Sequence, residues 1–265
     1  MYISDEYRAS QQNAPAWYYI LIWIGWVALT VAAYVVGKWL SDGVTSALLG
    51  NSATGRALSI EGNVQIAGLG GYAVAIVAGI VSGIVLGVAQ GIVLLLLIKG
   101  SGAGEWLLAT VVGRTVQWFI VYMVSMVMVG IVFDKEIPTV LLLLLILALT
   151  GALGGLALGY PQAQVFKRRA NRSGVWLVAN MIGPVVTALV VGMTLFVEAQ
   201  NTMRDYTTLL AAVITAIATG FALLEILHHP LPAAEWQEAL VWDKDEPEEE
   251  VPDTVLGSDL YSRKP

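Results

Sequence analysis

The sequence predicts an all-α integral membrane protein of about six transmembrane helices, with a two-helix hairpin duplicated in parallel inside it. Three observations lead there. Apolar residues make up 57% of the 265 and charged residues only 13%, where a soluble domain carries about 25% charge; no soluble core hides that much apolar surface. Several charge-free runs reach the roughly 20 residues that a bilayer crossing needs. The chain also repeats itself: Gly83-x-x-x-Gly87-x-x-Gln90 followed by Trp106 returns as Gly155-x-x-x-Gly159-x-x-Gln162 followed by Trp176.

The elements follow in order. Residues 1–15 form an N-terminal segment. Its Asp5 and Glu6 replace the basic region of a cleavable signal, and the apolar run that follows is too long for a signal core. The first span is Ala16 to Gly37, entered through Trp17, Tyr18 and Tyr19. Residues 38–63 read as an outer loop, too polar to span, with a surface helix, a contact for a neighbour or disorder as its possible states. Gly62 to Ile98 is free of charge over 37 residues, too long for one perpendicular span and too short for two. It reads as one long helix from about Tyr72 to Ile98. Trp106 to Phe133 is the third span, interrupted by Arg114. Pro138 to Gln162, Gly174 to Val197 and Tyr206 to Leu227 are the fourth, fifth and sixth. The membrane domain thus covers 16–230. Residues 231–265 form a tail in which Trp236 and Trp242 precede the acidic run Asp243 to Asp253. Its readings are a solvated disordered tail or a segment that orders on a basic partner.

The formal charge of −6 belongs to that tail. From Glu235 onward ten acidic and three basic residues give −7, and the body is left at +1. With six spans, one face carries Arg8, Lys99, Lys167, Arg168, Arg169, Arg172 and Lys244, and the other Lys38, Arg56, Lys135 and Arg204. Basic residues favour the cytoplasmic side, so both termini are expected there, in a bacterial inner membrane. Lys167, Arg168, Arg169 and Arg172 serve as a topology anchor or as a contact for anionic lipid headgroups or an acidic partner.

The repeat offset is 72 residues at the glycines and 70 at the tryptophans. One unit runs over about 72–133 and the second over about 138–197. A partial third copy, Ala216-x-x-x-Gly220, lies in 206–230. Gly79, Gly83, Gly87 and Gly91 recur every four residues, as do Gly151, Gly155 and Gly159. Such glycine-zipper stripes let helices approach closely where lipid supplies no hydrophobic drive between them. They are expected to form the seam of the fold.

A GxxxGxxQ helix, a basic hairpin and a returning helix that opens with Trp resemble the repeated units of a group of bacterial polytopic membrane proteins common in phototrophic lineages. The resemblance covers roughly 75–230 and departs in the first hairpin, Ile98 to Glu105, which is glycine-rich with one lysine. It implies a helical-hairpin membrane fold and no activity.

Ionisable and amide groups at membrane depth are functional candidates. Gln90, Arg114, Gln117 and Gln162 are those in the repeat units. Arg114 lies eight residues past Trp106 and Gln90 eight before Ile98, so the expectation is a clamp in which Gln90 satisfies Arg114, with Gln117 or a headgroup nearby. The sharper reading is a site for an anionic ligand or lipid phosphate. Glu225 and His228 have the spacing of half a di-metal site, without the second pair such a site needs; the plain reading is a polar helix end. The chain has no cysteine, which excludes thiol nucleophiles and Cys-held metal clusters. No nucleophile–base pair or nucleotide-binding fingerprint appears. The sequence requires no cofactor. Bound lipid is expected, and a single-ligand pigment at His228 or His229 stays open, as does pH sensing.

The expected function is non-enzymatic: a structural or accessory subunit of a larger membrane complex, respiratory or photosynthetic, with membrane lipids and other subunits as partners and no nucleic acid. The alternative is a small transporter or channel with a polar path near Gln90 and Arg114. A membrane lipid enzyme comes third, with no nucleophile to nominate.

Overall fold

The computed structural model describes residues 15–49, 69–97, 102–134, 140–167, 170, 172–194 and 203–229. They form six helices: α1 Ala16–Leu49, α2 Leu69–Leu97, α3 Ala103–Asp134, α4 Val140–Lys167, α5 Ser173–Thr194 and α6 Met203–His228. Each contains a stretch long and apolar enough to cross a membrane. Residues 1–14, Arg168, Arg169 and the tail 231–265 lie outside the described residues.

The expected loop at 38–63 is corrected in its first half. Residues 38–49 continue α1, which reaches 34 residues, or about 51 Å. The polar residues that argued for a loop are satisfied on the helix. Ser41 Oγ sits 2.6 Å from the Gly37 carbonyl and 3.2 Å from that of Ala78 on α2. Lys38 pairs with Asp42 one turn on, at 2.6 Å. Ser41 and Thr45 are buried, so the segment is amphipathic rather than irregular. Residues 50–63 lie outside the described residues.

Each helix packs antiparallel on its sequence neighbour, and α6 packs on α1, so the six close into a ring. α1, α3 and α5 all begin at one end, termed the entry end. The outward surface is apolar: Ile76, Ile80, Ile84 and Val88 of α2, for example, are all exposed. The densest core lies at the entry end and draws on every helix, with Trp26, Leu94, Trp106, Phe166, Trp176 and Leu223 among its members.

The close approaches are made by glycine. A Cβ on Gly79 would lie 2.5 Å from the Thr115 Cα, one on Gly83 2.8 Å from that of Val111, and one on Gly87 2.8 Å from the Leu107 side chain. On α4, a Cβ on Gly155 would lie 2.8 Å from the Met181 Cα, and one on Gly159 2.7 Å from the Asn180 Cβ. Two of these approaches answer a proline. Pro184 inside α5 and Pro161 inside α4 have no N–H, so the carbonyls of Asn180 and Ala157 lose their helical donors. Gly155 of α4 packs against the first carbonyl and Gly113 of α3 against the second. Such contacts bring a Cα–H to an oxygen that would otherwise be bare, a weak but recurrent helix–helix interaction.

Candidate functional site in the ring interior

The entry end of the interior is closed by aromatic rings. Trp176 meets Trp26 at 5.6 Å, Trp106 at 5.4 Å and Phe166 at 5.0 Å between ring centroids. Trp26 and Trp176 are fully buried. Their indole N–H groups find acceptors on α6 and α4: Trp26 donates to Thr219 Oγ1 at 3.1 Å and Trp176 to Gln162 Oε1 at 3.0 Å. Gln162, 1% exposed, also donates through Nε2 to Thr110 Oγ1 at 2.9 Å and, at 3.5 Å, to Gln90 Oε1. One turn past their tryptophans, Thr110 and Asn180 bond back to the Trp106 and Trp176 carbonyls, at 2.8 and 3.0 Å. Thr30 holds the same place after Trp26; among the described residues its buried hydroxyl has no hydrogen-bond partner, nor has the Trp106 indole nitrogen. Gln162 is thus spent on an indole, a hydroxyl and a second amide, and Asn180 on a backbone carbonyl.

Arg114 lies elsewhere than expected. Its Nη1 donates to Gln117 Oε1 at 2.5 Å and its Nε reaches Ser82 Oγ at 3.4 Å. The guanidinium carbon lies 4.7 Å from the centroid of the Tyr34 ring and 5.8 Å from that of Trp118. Trp118 in turn donates its indole N–H to Ser82 Oγ at 3.2 Å. Gln90 is not in this group, which corrects the proposed clamp. The register explains the error. Gly91 lies beside Trp106, and Gly83 beside Arg114, so Arg114 is level with Ser82–Gly83. Gln90 sits about two turns, roughly 10 Å, nearer the entry end. Counting from Ile98 and Trp106 as opposite ends assumed a hairpin longer than the one formed, in which α3 already starts at Ala103.

The electrostatics of Arg114 are unbalanced. No carboxylate among the described residues pairs with it; Asp42 is held by Lys38, and Glu225 by Arg172 and by His229 at 3.2 Å. A cation–π contact is worth about 0.5–2 kcal/mol and a hydrogen bond to a charge about 1.5–3 kcal/mol. Taking an ion out of water costs several kcal/mol. The neutral partners therefore offset much of the cost and leave the charge itself unneutralised.

At the entry-end rim, Arg172 hydrogen-bonds Glu225, Lys167 is exposed, and His228 stacks on Tyr19 at 4.4 Å. Among the described residues no group of three His, Asp or Glu side chains is placed to hold a metal ion.

The sequence reading passed over Trp26, Thr110, Thr219, Ser82, Tyr34, Trp118 and Phe166. For Trp26 a signal existed. Trp26-x-x-x-Thr30 matches Trp106-x-x-x-Thr110 and Trp176-x-x-x-Asn180. No family model, curated protein or solved structure matches the chain.

Proposed function

We propose that the chain is a multi-pass membrane scaffold, an accessory subunit of a larger assembly, built from three related hairpins around an approximate threefold axis. It would reside in a bacterial inner membrane with both termini cytoplasmic, in a respiratory or photosynthetic complex. The hairpins are α2–α3, α4–α5 and α6–α1, the last split between the two halves of the chain. Register supports this. Shifting the contacts Gly83–Val111 and Gly87–Thr110 by 72 and 70 residues gives Gly155–Met181 and Gly159–Asn180. Between hairpins, Gly113–Leu158 corresponds to Gly183–Thr215, and Gly154–Gln117 to Gly37–Ser82. In the third hairpin Gly220 lies against Trp26 as Gly91 lies against Trp106. Gly220 therefore takes the place of Gly91 rather than of Gly87, one turn from the alignment that spacing suggested. Thr219 then takes the place of Gln90 and Gln162, and it accepts the Trp26 indole as Gln162 accepts that of Trp176.

The observation that carries the scaffold reading is the aromatic closure of the interior at Trp26, Trp106, Trp176 and Phe166, with Gln162 hydrogen-bonded between Trp176 and Thr110. A conducting path would have to break that closure. The small-residue stripes are also consumed between hairpin partners, so partner subunits would meet other faces. Purification of the full chain from native membranes in mild detergent, with mass spectrometry of the co-purifying chains, tests this. A stoichiometric partner set is expected. A lone monomer that moves solute in proteoliposomes would overturn the reading in favour of the transporter alternative, which draws on Ser82, Arg114 and Gln117.

A further inference from the structure

Arg114 belongs to no part of that scaffold role. It lies near the middle of the apolar stretch Ala103–Val124, about 15 Å from either end at 1.5 Å per residue. It is placed inside the ring. α1 and α3 flank α2, and a side chain of α3 that lies over the Tyr34 ring of α1 reaches it across the interior. At the same level of α2, Ile80 and Ile84 face outward, whereas Ser82, the partner of Arg114, is buried. Despite this position Arg114 is only half-buried. Its hydrogen bonds run through Nη1 and Nε; among the described residues Nη2 has no hydrogen-bond partner. Gln117, whose oxygen accepts from Arg114, keeps its Nε2 as a second donor beside it. Tyr34 and Trp118 wall the group with aromatic rings. Towards the entry end, Ala33, Leu86 and Leu158 form an apolar cluster with Tyr34 packed on it, and the tryptophans close the interior beyond.

We infer that Arg114 and Gln117 form an oxyanion site inside the ring, which takes a phosphate group, free or as the headgroup of an anionic phospholipid. The planar fork of an arginine suits two oxygens of one phosphate, a match that a simple halide lacks. The anion supplies the counter-charge that the described residues do not. This inference goes beyond the scaffold reading and stands whether or not the chain has partner subunits.

The test uses the full chain in detergent, stripped of lipid by exhaustive exchange, in chloride buffer of fixed ionic strength. Sodium phosphate is titrated while tryptophan emission and thermal unfolding are followed, and phospholipid that survives the exchange is quantified by native mass spectrometry. A saturable phosphate response in the stripped protein identifies free phosphate as the ligand. Retained phosphatidylglycerol that phosphate fails to displace identifies a headgroup. In either case Arg114→Gln should abolish binding, Arg114→Lys should weaken it about tenfold while keeping the charge, and Lys38→Gln should leave it unchanged. If Arg114→Gln does not fold, the Arg114→Lys comparison decides alone. Wild-type protein with neither a saturable phosphate response nor retained anionic phospholipid would overturn the site. So would equal loss of binding in Lys38→Gln.

Discussion

Among the described glycines, Gly155→Ala should be the most damaging single-methyl addition. The new Cβ would run into the Asn180 carbonyl oxygen and lie 2.7 Å from its carbon and 2.8 Å from the Met181 Cα. Each of those atoms is backbone, so no rotamer change relieves the clash. Relief to ordinary contact requires α4 to move away from α5. That movement would also pull Gly151 from Pro184 and Gly159 from Asn180, the neighbouring contacts of the same face. Overpacking of this kind costs about 1–3 kcal/mol, and more where the backbone cannot yield. Exposure of the proline-freed Asn180 carbonyl adds up to about 1 kcal/mol. A total near 3–4 kcal/mol corresponds to a fall in Tm of about 10 °C for a chain of this size. Gly43→Ala is the matched control. It is exposed with nothing within 4 Å of the new methyl, so helix propensity alone acts and should stabilise by about 1 kcal/mol. Heating both variants in the same detergent, with the nine tryptophans as reporters, gives the comparison. A Gly155→Ala protein that melts within about 2 °C of wild type would refute the account of the α4–α5 seam.

Gln162→Leu strands the Trp176 indole and removes the donor to Thr110; it should cost about 2–3 kcal/mol, visible as a lower Tm. Trp26→Ala empties a fully buried site and should cost about 3–5 kcal/mol. Trp39→Ala, at a side chain 73% exposed, should change Tm by about 1 °C or less. Glu225→Gln breaks the contacts to Arg172 and His229 at the rim, where all three side chains are well exposed. Its effect should stay below about 1 kcal/mol and should vanish in high salt. A large, salt-resistant loss would mean that the rim helps to hold α5 on α6.

The six helices were legible because charge-free runs of the length that a bilayer crossing needs stand out directly. Their ends were less so. Pro138–Gln162 stopped where α4 continues past Pro161 to Lys167, since a proline late in a helix costs one hydrogen bond and the neighbouring Gly113 covers the freed carbonyl. The partners of Arg114 were half legible. Gln117 follows from helical spacing alone, whereas Ser82, Tyr34 and Trp118 depend on the antiparallel register of α2 with α3 and on ring closure, neither of which a linear count fixes. Trp26 was hidden for a different reason. Its packing partner, α6, lies at the far end of the chain, so the proposed third hairpin never occurs as a contiguous repeat.

The α1–α6 seam also sets an order of assembly. In the proposed membrane setting α1 is made first, yet the acceptor of its Trp26 indole, Thr219, is made last. Between the end of α1 at Leu49 and the end of α6 at His228 lie 179 residues, on the order of ten to thirty seconds of synthesis. Through that interval the Trp26 indole N–H has no α6 to meet, and the ring is open along one side. A chain halted before α6 would therefore leave a polar, tryptophan-lined cleft on its flank. That gives membrane quality control a local mark of an unfinished protein, removed by the arrival of a single helix.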